Sequence, residues 1–228
     1  MLKLEKINEE LIECFENIYN NENDEQKKIF IALNNTINDL KIPLTEFENL
    51  LTAFKQDALK QKYDEFNELL EYSNYSANPI GHLVLNTFGY YREKDSDLFK
   101  LSDFICTGLQ LINFWQDVER DLVINRIYIP QKEMSKFNYS EELLIDKVEN
   151  DDFIKLMSSL VERTKTIYLQ GDGIEHKLKG RLKLELKAIF AGGMEIINKI
   201  EKINYRVLTQ RVEITKFDKL KLFLRMFY

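Results

Sequence analysis

Apolar residues recur every three or four positions along most of the chain, the period of an α-helix with one buried face. Residues 3–20 place Leu4, Ile7, Leu11, Phe15 and Ile18 on one side, and a polar break over 20–24 ends that run. A second helix is expected over 25–40, with Ile29, Leu33, Ile37 and Leu40 sharing a face. Pro43 then opens a third that runs to about Lys62, where Thr45 and Glu48 have capping-box spacing. Helical character continues over 63–74, breaks or kinks at Pro79, and resumes to about Gly89. The most apolar long stretch is 97–122. Residues 125–130 read as extended or irregular, and 131–150 as polar with short helical turns. Helices over 153–168 and 178–200 and a piece near 216–227 complete the set. Gly192 and Gly193, inside a helical run, point to close helix packing or a local kink.

Composition supports long helices. Only 8 glycines and 3 prolines punctuate 228 residues, and no repeat, linker or low-complexity tract interrupts them. The expected fold is all-α, one helical domain over 1–228. A net charge of −6 argues against a general nucleic-acid binder. The N-terminal residues lack the apolar core of a signal peptide, and no run reaches the roughly 18 apolar residues of a membrane span. A cytoplasmic location is therefore expected, with Cys14 and Cys106 as reduced thiols. Two histidines, His82 and His176, argue against a zinc site, so a bound metal would be held by carboxylates, as magnesium or manganese are.

The segment most suggestive of chemistry lies within 110–121. Gln110, Asn113, Asp117 and Asp121 follow steps of three, four and four, so one helix face carries all of them. The intervening Leu111, Ile112, Phe114, Trp115 and Val118 are apolar, which predicts a buried helix whose polar stripe must find partners. Two carboxylates one turn apart repel each other. A divalent cation between them would remove the repulsion and bridge to phosphate oxygens. Taken alone, an Asp pair at this spacing is more often a solvated helix face.

The same string, from Leu109 to Asp121 and followed by Asn125-Arg126-Ile-Tyr128-Ile-Pro130, resembles the second aspartate-rich motif of the squalene/phytoene synthase family. Upstream, Tyr72-Ser-Asn-Tyr75-Ser76-Ala-Asn-Pro-Ile-Gly81 resembles that family's tyrosine segment. The Ser-Ala-Asn-Pro form, with Asn-Phe-Trp-Gln-Asp later, is similar to the hopanoid-pathway hydroxysqualene synthase branch, as are 161–164 and 180–186.

The resemblance implies an isoprenoid synthase-type helical bundle and head-to-head prenyl chemistry. It implies conversion of presqualene or farnesyl diphosphate to hydroxysqualene or squalene, with Mg2+ as cofactor and Mn2+ as its substitute. No NADPH is expected for the hydroxysqualene reaction. It assigns Asp117, Asp121 and Asn113 to metal, and Tyr72, Asp117 and Asp121 to catalysis. Tyr75, Ser76, Gly81, Gln110, Asn113, Arg126 and Tyr128 are assigned to substrate. Phe88, Phe114 and Trp115 are either tunnel lining or ordinary core. Arg120 is either a phosphate contact or a solvated residue, and His82 is structural. A C30 product is compatible with peripheral contact with the inner membrane and with partner isoprenoid enzymes.

Two departures stand out. No first aspartate-rich motif occurs in residues 1–60, where Asp24, Asp39 and Asp57 are scattered, so the chain is expected to lack the first one or two family helices. The alternatives are then phytoene or dehydrosqualene synthase activity, or a non-catalytic helical remnant or subunit. Asn125 stands where many relatives carry glycine, and asparagine tolerates a left-handed turn.

Overall fold

The computed structural model describes residues 25–225, together with Lys6 and Glu9. The rest of the helix expected over 3–20, and Cys14, lie outside the described residues. The main helices are α1 (Glu25–Leu40), α2 (Leu44–Leu59), α3 (Phe66–Ser76), α4 (Asn78–Thr87) and α5 (Arg92–Gln116). They are followed by α6 (Val118–Val123), α7 (Gln131–Lys136), α8 (Glu141–Ile145), α9 (Asp151–Leu169), α10 (Gly180–Lys202) and α11 (Lys216–Arg225). A 3-10 turn, Ile174–Lys177, precedes α10. Among the described residues there is no strand, and one isolated parallel bridge joins Lys62 to Ile127.

The long helix α5 is the centre of the bundle. It packs on α9 most extensively, then on α4, α3 and α10. Its buried side includes Leu98, Phe99, Ile105, Leu111, Phe114 and Trp115. The fully buried Trp115 indole donates to Thr164 Oγ on α9 at 2.7 Å, so its polar edge is satisfied.

Local chemistry sets the boundaries, and it differs from expectation at three places. Pro43 is itself the N-cap of α2, with φ −64 and ψ 133, and no side-chain cap bond forms. That puts Thr45 inside the helix, so it is not the cap. The capping box lies instead at Glu65 and Glu68, where α3 begins. Within α5, Asp95 is non-helical (φ −120, ψ 31), so regular helix starts near the expected position 97. The expected continuous helix to 122 breaks at Asp117 (φ −108, ψ 14) and resumes as α6.

Two glycines explain how closely the helices approach. A methyl group at Gly108 of α5 would stand 2.5 Å from the Tyr168 ring, and one at Gly193 of α10 would collide with the Tyr168 hydroxyl. Gly193 thus serves close packing, whereas Gly192 faces open space. Gly193→Ala is expected to lower stability by about 1–3 kcal/mol through overpacking, read as a lower urea midpoint with unchanged slope. Gly192→Ala is the matched control and should be near neutral.

Candidate functional site

The site is assembled by a loop pairing. Ile127 N–H donates to Gln61 O at 2.8 Å, Gln131 N–H to Tyr63 O at 2.9 Å, and Lys132 N–H to Asp64 O at 3.0 Å. These bonds lay 125–132 alongside 61–64. Asn125 makes the preceding turn in the left-handed region at φ 58, as its identity allows. Arg126 is thereby carried to the end of α2. Its Nη2 donates to the Asp57 carbonyl at 3.1 Å, and its Nη1 to the Tyr128 hydroxyl at 3.5 Å.

Tyr72, buried on α3, donates its hydroxyl to Asp57 Oδ1 at 2.8 Å. Burial, reinforced by that bond and by the Asp57 charge, raises the Tyr72 phenol far above its ordinary range. The phenol therefore keeps its proton and serves as a donor. Asp57 thus joins the site as a residue that the sequence reading left among scattered acids. Tyr63, which the sequence reading did not single out, joins it too. It stacks on Tyr128 at 5.5 Å and meets Tyr72 edge-on at 6.0 Å, and its buried hydroxyl has no hydrogen-bond partner among the described residues. Phe114 completes this aromatic wall, stacked on Tyr128 at 3.8 Å.

The carboxylate pair survives the helix break. Asp121 N–H still donates to Asp117 O at 2.9 Å, which keeps the two residues one turn apart. Their environments differ. Asp117 accepts from Arg211 Nε at 2.5 Å, a partner 94 residues away. Asp121 makes no side-chain hydrogen bond with the described residues. Burial, with the Asp117 charge added and Arg126 opposing, pushes its carboxyl up to about 6. It lines a narrow cleft, with a free volume of about 10 Å3, together with Phe114, Arg126, Tyr128 and Leu144.

The polar stripe is not enclosed. The apolar positions of α5 are buried as expected, but Asn113 is exposed and Gln110, Asp117 and Asp121 are half-buried. The stripe therefore lies at the surface, where the expected buried partners are not required. Gly81 sits where α4 meets α5, and a methyl there would strike Ser102 and come within 2.7 Å of Cys106 Sγ, so helix packing accounts for it. Tyr75 packs against the core, and the buried Ser76 hydroxyl, one turn on from Tyr72, has no hydrogen-bond partner among the described residues. Phe114 and Trp115 belong to the core while Phe88 is 47% exposed. Arg120 is solvent-facing, 3.9 Å from both Asp117 and Glu213.

The donor set suits a hard divalent cation: carboxylate and amide oxygens, with an unmet negative charge at Asp121. Among the described residues no group of three or more His, Cys, Asp or Glu side chains is placed to hold a metal.

Known proteins share this arrangement of helices. Hydroxysqualene synthase of Sinorhizobium fredii is 29% identical over 174 residues, covering 75% of this chain and 58% of that protein. The hydroxysqualene synthase of Rhodopseudomonas palustris is 30% identical over 155 residues, covering 67% and 52%. The chain thus spans little more than half the length of these relatives. The squalene synthase HpnC from Alicyclobacillus acidocaldarius superposes with TM-score 0.80 at 32% identity, covering 89% of this chain and 73% of that one. A dehydrosqualene synthase crystallised with a ligand shares the fold, with TM-score 0.83 at 20% identity over 98% of this chain and 76% of its own. The family model for squalene/phytoene synthases matches residues 1–218, and the chain belongs to that family.

Proposed function

We propose that this chain acts on a prenyl diphosphate, converting presqualene diphosphate to hydroxysqualene with magnesium as cofactor. The observation that carries the reading is the half-buried, unpartnered Asp121 carboxylate, facing a cleft that also holds a guanidinium and two aromatic rings. A diphosphate ester carries anion and hydrocarbon in one molecule, and this cleft offers groups for both. The hydroxysqualene synthases of two bacteria and the family membership support the choice of reaction.

In the reaction the carbon–oxygen bond to diphosphate breaks, the resulting cyclopropylcarbinyl cation rearranges, and water adds its oxygen to carbon while releasing a proton. No hydride is supplied, so no nicotinamide is required. Asp117, Asp121 and Asn113 would hold the cation, which when bound would supply charge neutralisation for the leaving diphosphate. Arg126, already fixed to the Asp57 carbonyl, offers a planar fork to phosphate oxygens. The Phe114 and Tyr128 rings, stacked on each other, form an apolar wall of the cleft suited to the hydrocarbon part of the substrate. The protonated Tyr72, held by Asp57, keeps that wall in place.

The test is incubation of the purified chain with presqualene diphosphate and magnesium, with mass spectrometry of the lipid extract. Hydroxysqualene from the native chain, and none from the Asp117→Asn/Asp121→Asn variant, is the expected result. Absence of product from the native chain would overturn the reading for this chain alone and favour a helical subunit that needs a partner.

A further inference from the structure

The segment joining α10 to α11 runs across the end of α5 and is fastened to it. Glu149 accepts from Leu208 N–H at 2.8 Å, and from Thr209 through its N–H at 3.3 Å and its hydroxyl at 2.7 Å. Gln116 Nε2 donates to Val212 O at 2.6 Å, and Val207, Leu208 and Val212 are buried. Between these anchors Arg211 reaches Asp117 with two nitrogens, Nε to Oδ1 at 2.5 Å and Nη2 to Oδ2 at 3.4 Å. Arg211 also pairs with Glu213, and Arg120 stands by both acids.

The result is a quartet of two arginines and two acids around one member of the aspartate pair. The other member, Asp121, is left outside it. Sequence spacing makes the two aspartates look equivalent, and the fold makes them unequal. Both oxygens of Asp117 face a guanidinium, so a cation reaching that carboxylate has to take at least one oxygen from Arg211. The strap is held on both sides of Arg211, so losing this pair frees a short stretch and leaves the bundle intact.

We propose that Arg211 is the built-in counter-ion of Asp117, holding it closed to divalent cations until a cation displaces the guanidinium and loosens the strap between its anchors at Thr209 and Val212. This rests on the reading that Asp117 belongs to a cation site. The ligand class is a hard divalent cation, and Arg211 acts as a positioning residue through Asp117.

The probe is Mn2+ alone, titrated into the full chain, with free Mn2+ followed by electron paramagnetic resonance. Arg211→Gln keeps hydrogen-bonding capacity and removes the charge. It is expected to bind Mn2+ about fivefold tighter than the native chain, the equivalent of one exposed ion pair. Arg211→Lys, which keeps the charge and loses the fork, should fall between them and serves if the glutamine variant folds poorly. In the native chain Mn2+ should speed amide hydrogen exchange over 210–212. Equal or weaker binding by Arg211→Gln, or exchange unmoved by Mn2+, overturns the proposal. Asp117→Asn separates this from failure of the underlying site. If that variant retains native Mn2+ affinity, the cation does not use Asp117 and both ideas fall. If it loses affinity while Arg211→Gln gains none, only the counter-ion role falls.

Discussion

Replacing His82 by alanine is expected to lower unfolding free energy by about 3–5 kcal/mol, the cost of leaving a buried carboxylate without its partner. His82 on α4 is 6% exposed, with Nδ1 2.9 Å from Glu46 Oε2 on α2 and Nε2 2.5 Å from Asp103 Oδ1 on α5. Arg92, also on α5, lies within 3.1 Å of the ring nitrogens and over the Phe99 ring. With two carboxylates and one arginine around it, the ring balances the charge only when protonated. Burial works against the charged ring, but the bonds to Asp103 and Glu46 outweigh it and raise its pKa above 6.5. The pH dependence follows. The contribution is complete below the unfolded value near 6.5 and is lost as pH rises through the higher folded value. Stability of the native chain to urea should fall as pH rises above 6.5 through the folded value, while His82→Gln should not show that loss. Parallel curves for the two proteins would remove His82 as the cause.

The second large effect is at Asp121, where stability and turnover should move in opposite directions. Its carboxyl rises from 3.8 to about 6 through burial and the nearby Asp117 charge. An acid whose folded pKa is raised destabilises the fold once it ionises, so its penalty is absent below pH 3.8 and complete above about 6. Asp121→Asn removes that penalty at neutral pH. With partial screening by water, the gain is about 1–2 kcal/mol. Turnover of presqualene diphosphate should fall by about 10²–10³-fold, as when one electrostatic group is removed from a reaction centre. A thermal melt at pH 7.5 and the product assay check the two halves. A variant that is both less stable and fully active would contradict the account.

The helices were legible because their cause is local: apolar period, few breakers, and prolines at positions 43 and 79. The Asp117–Asp121 spacing was legible for the same reason, since backbone geometry alone puts residues four apart on one face. What makes the two acids unequal was not legible, because Arg211 is brought in by a strap 94 residues further along. Asp57 was hidden in the same way. It is one polar residue among many in α2 until Tyr72 and Arg126 arrive from other elements. The exposure of Asn113 ran against the pattern, because apolar neighbours in sequence lie on other faces of the helix and do not roof a polar stripe.

The grip of Gly108 and Gly193 on Tyr168 also has a consequence for how this chain can change over time. The ring and the two bare α-carbons share one volume, with the phenol hydroxyl bonded to the Ile189 and Phe190 carbonyls of α10 at 3.2 Å. Enlarging either glycine alone meets a wall, and shrinking the tyrosine alone leaves a void. An alanine at 193 becomes acceptable only on a background where position 168 has already lost its aromatic ring, since ring carbons as well as the hydroxyl stand within 2.8 Å of the added methyl. The three positions should therefore drift as a linked set in descendant sequences, with the order of substitutions fixed by which one first makes room.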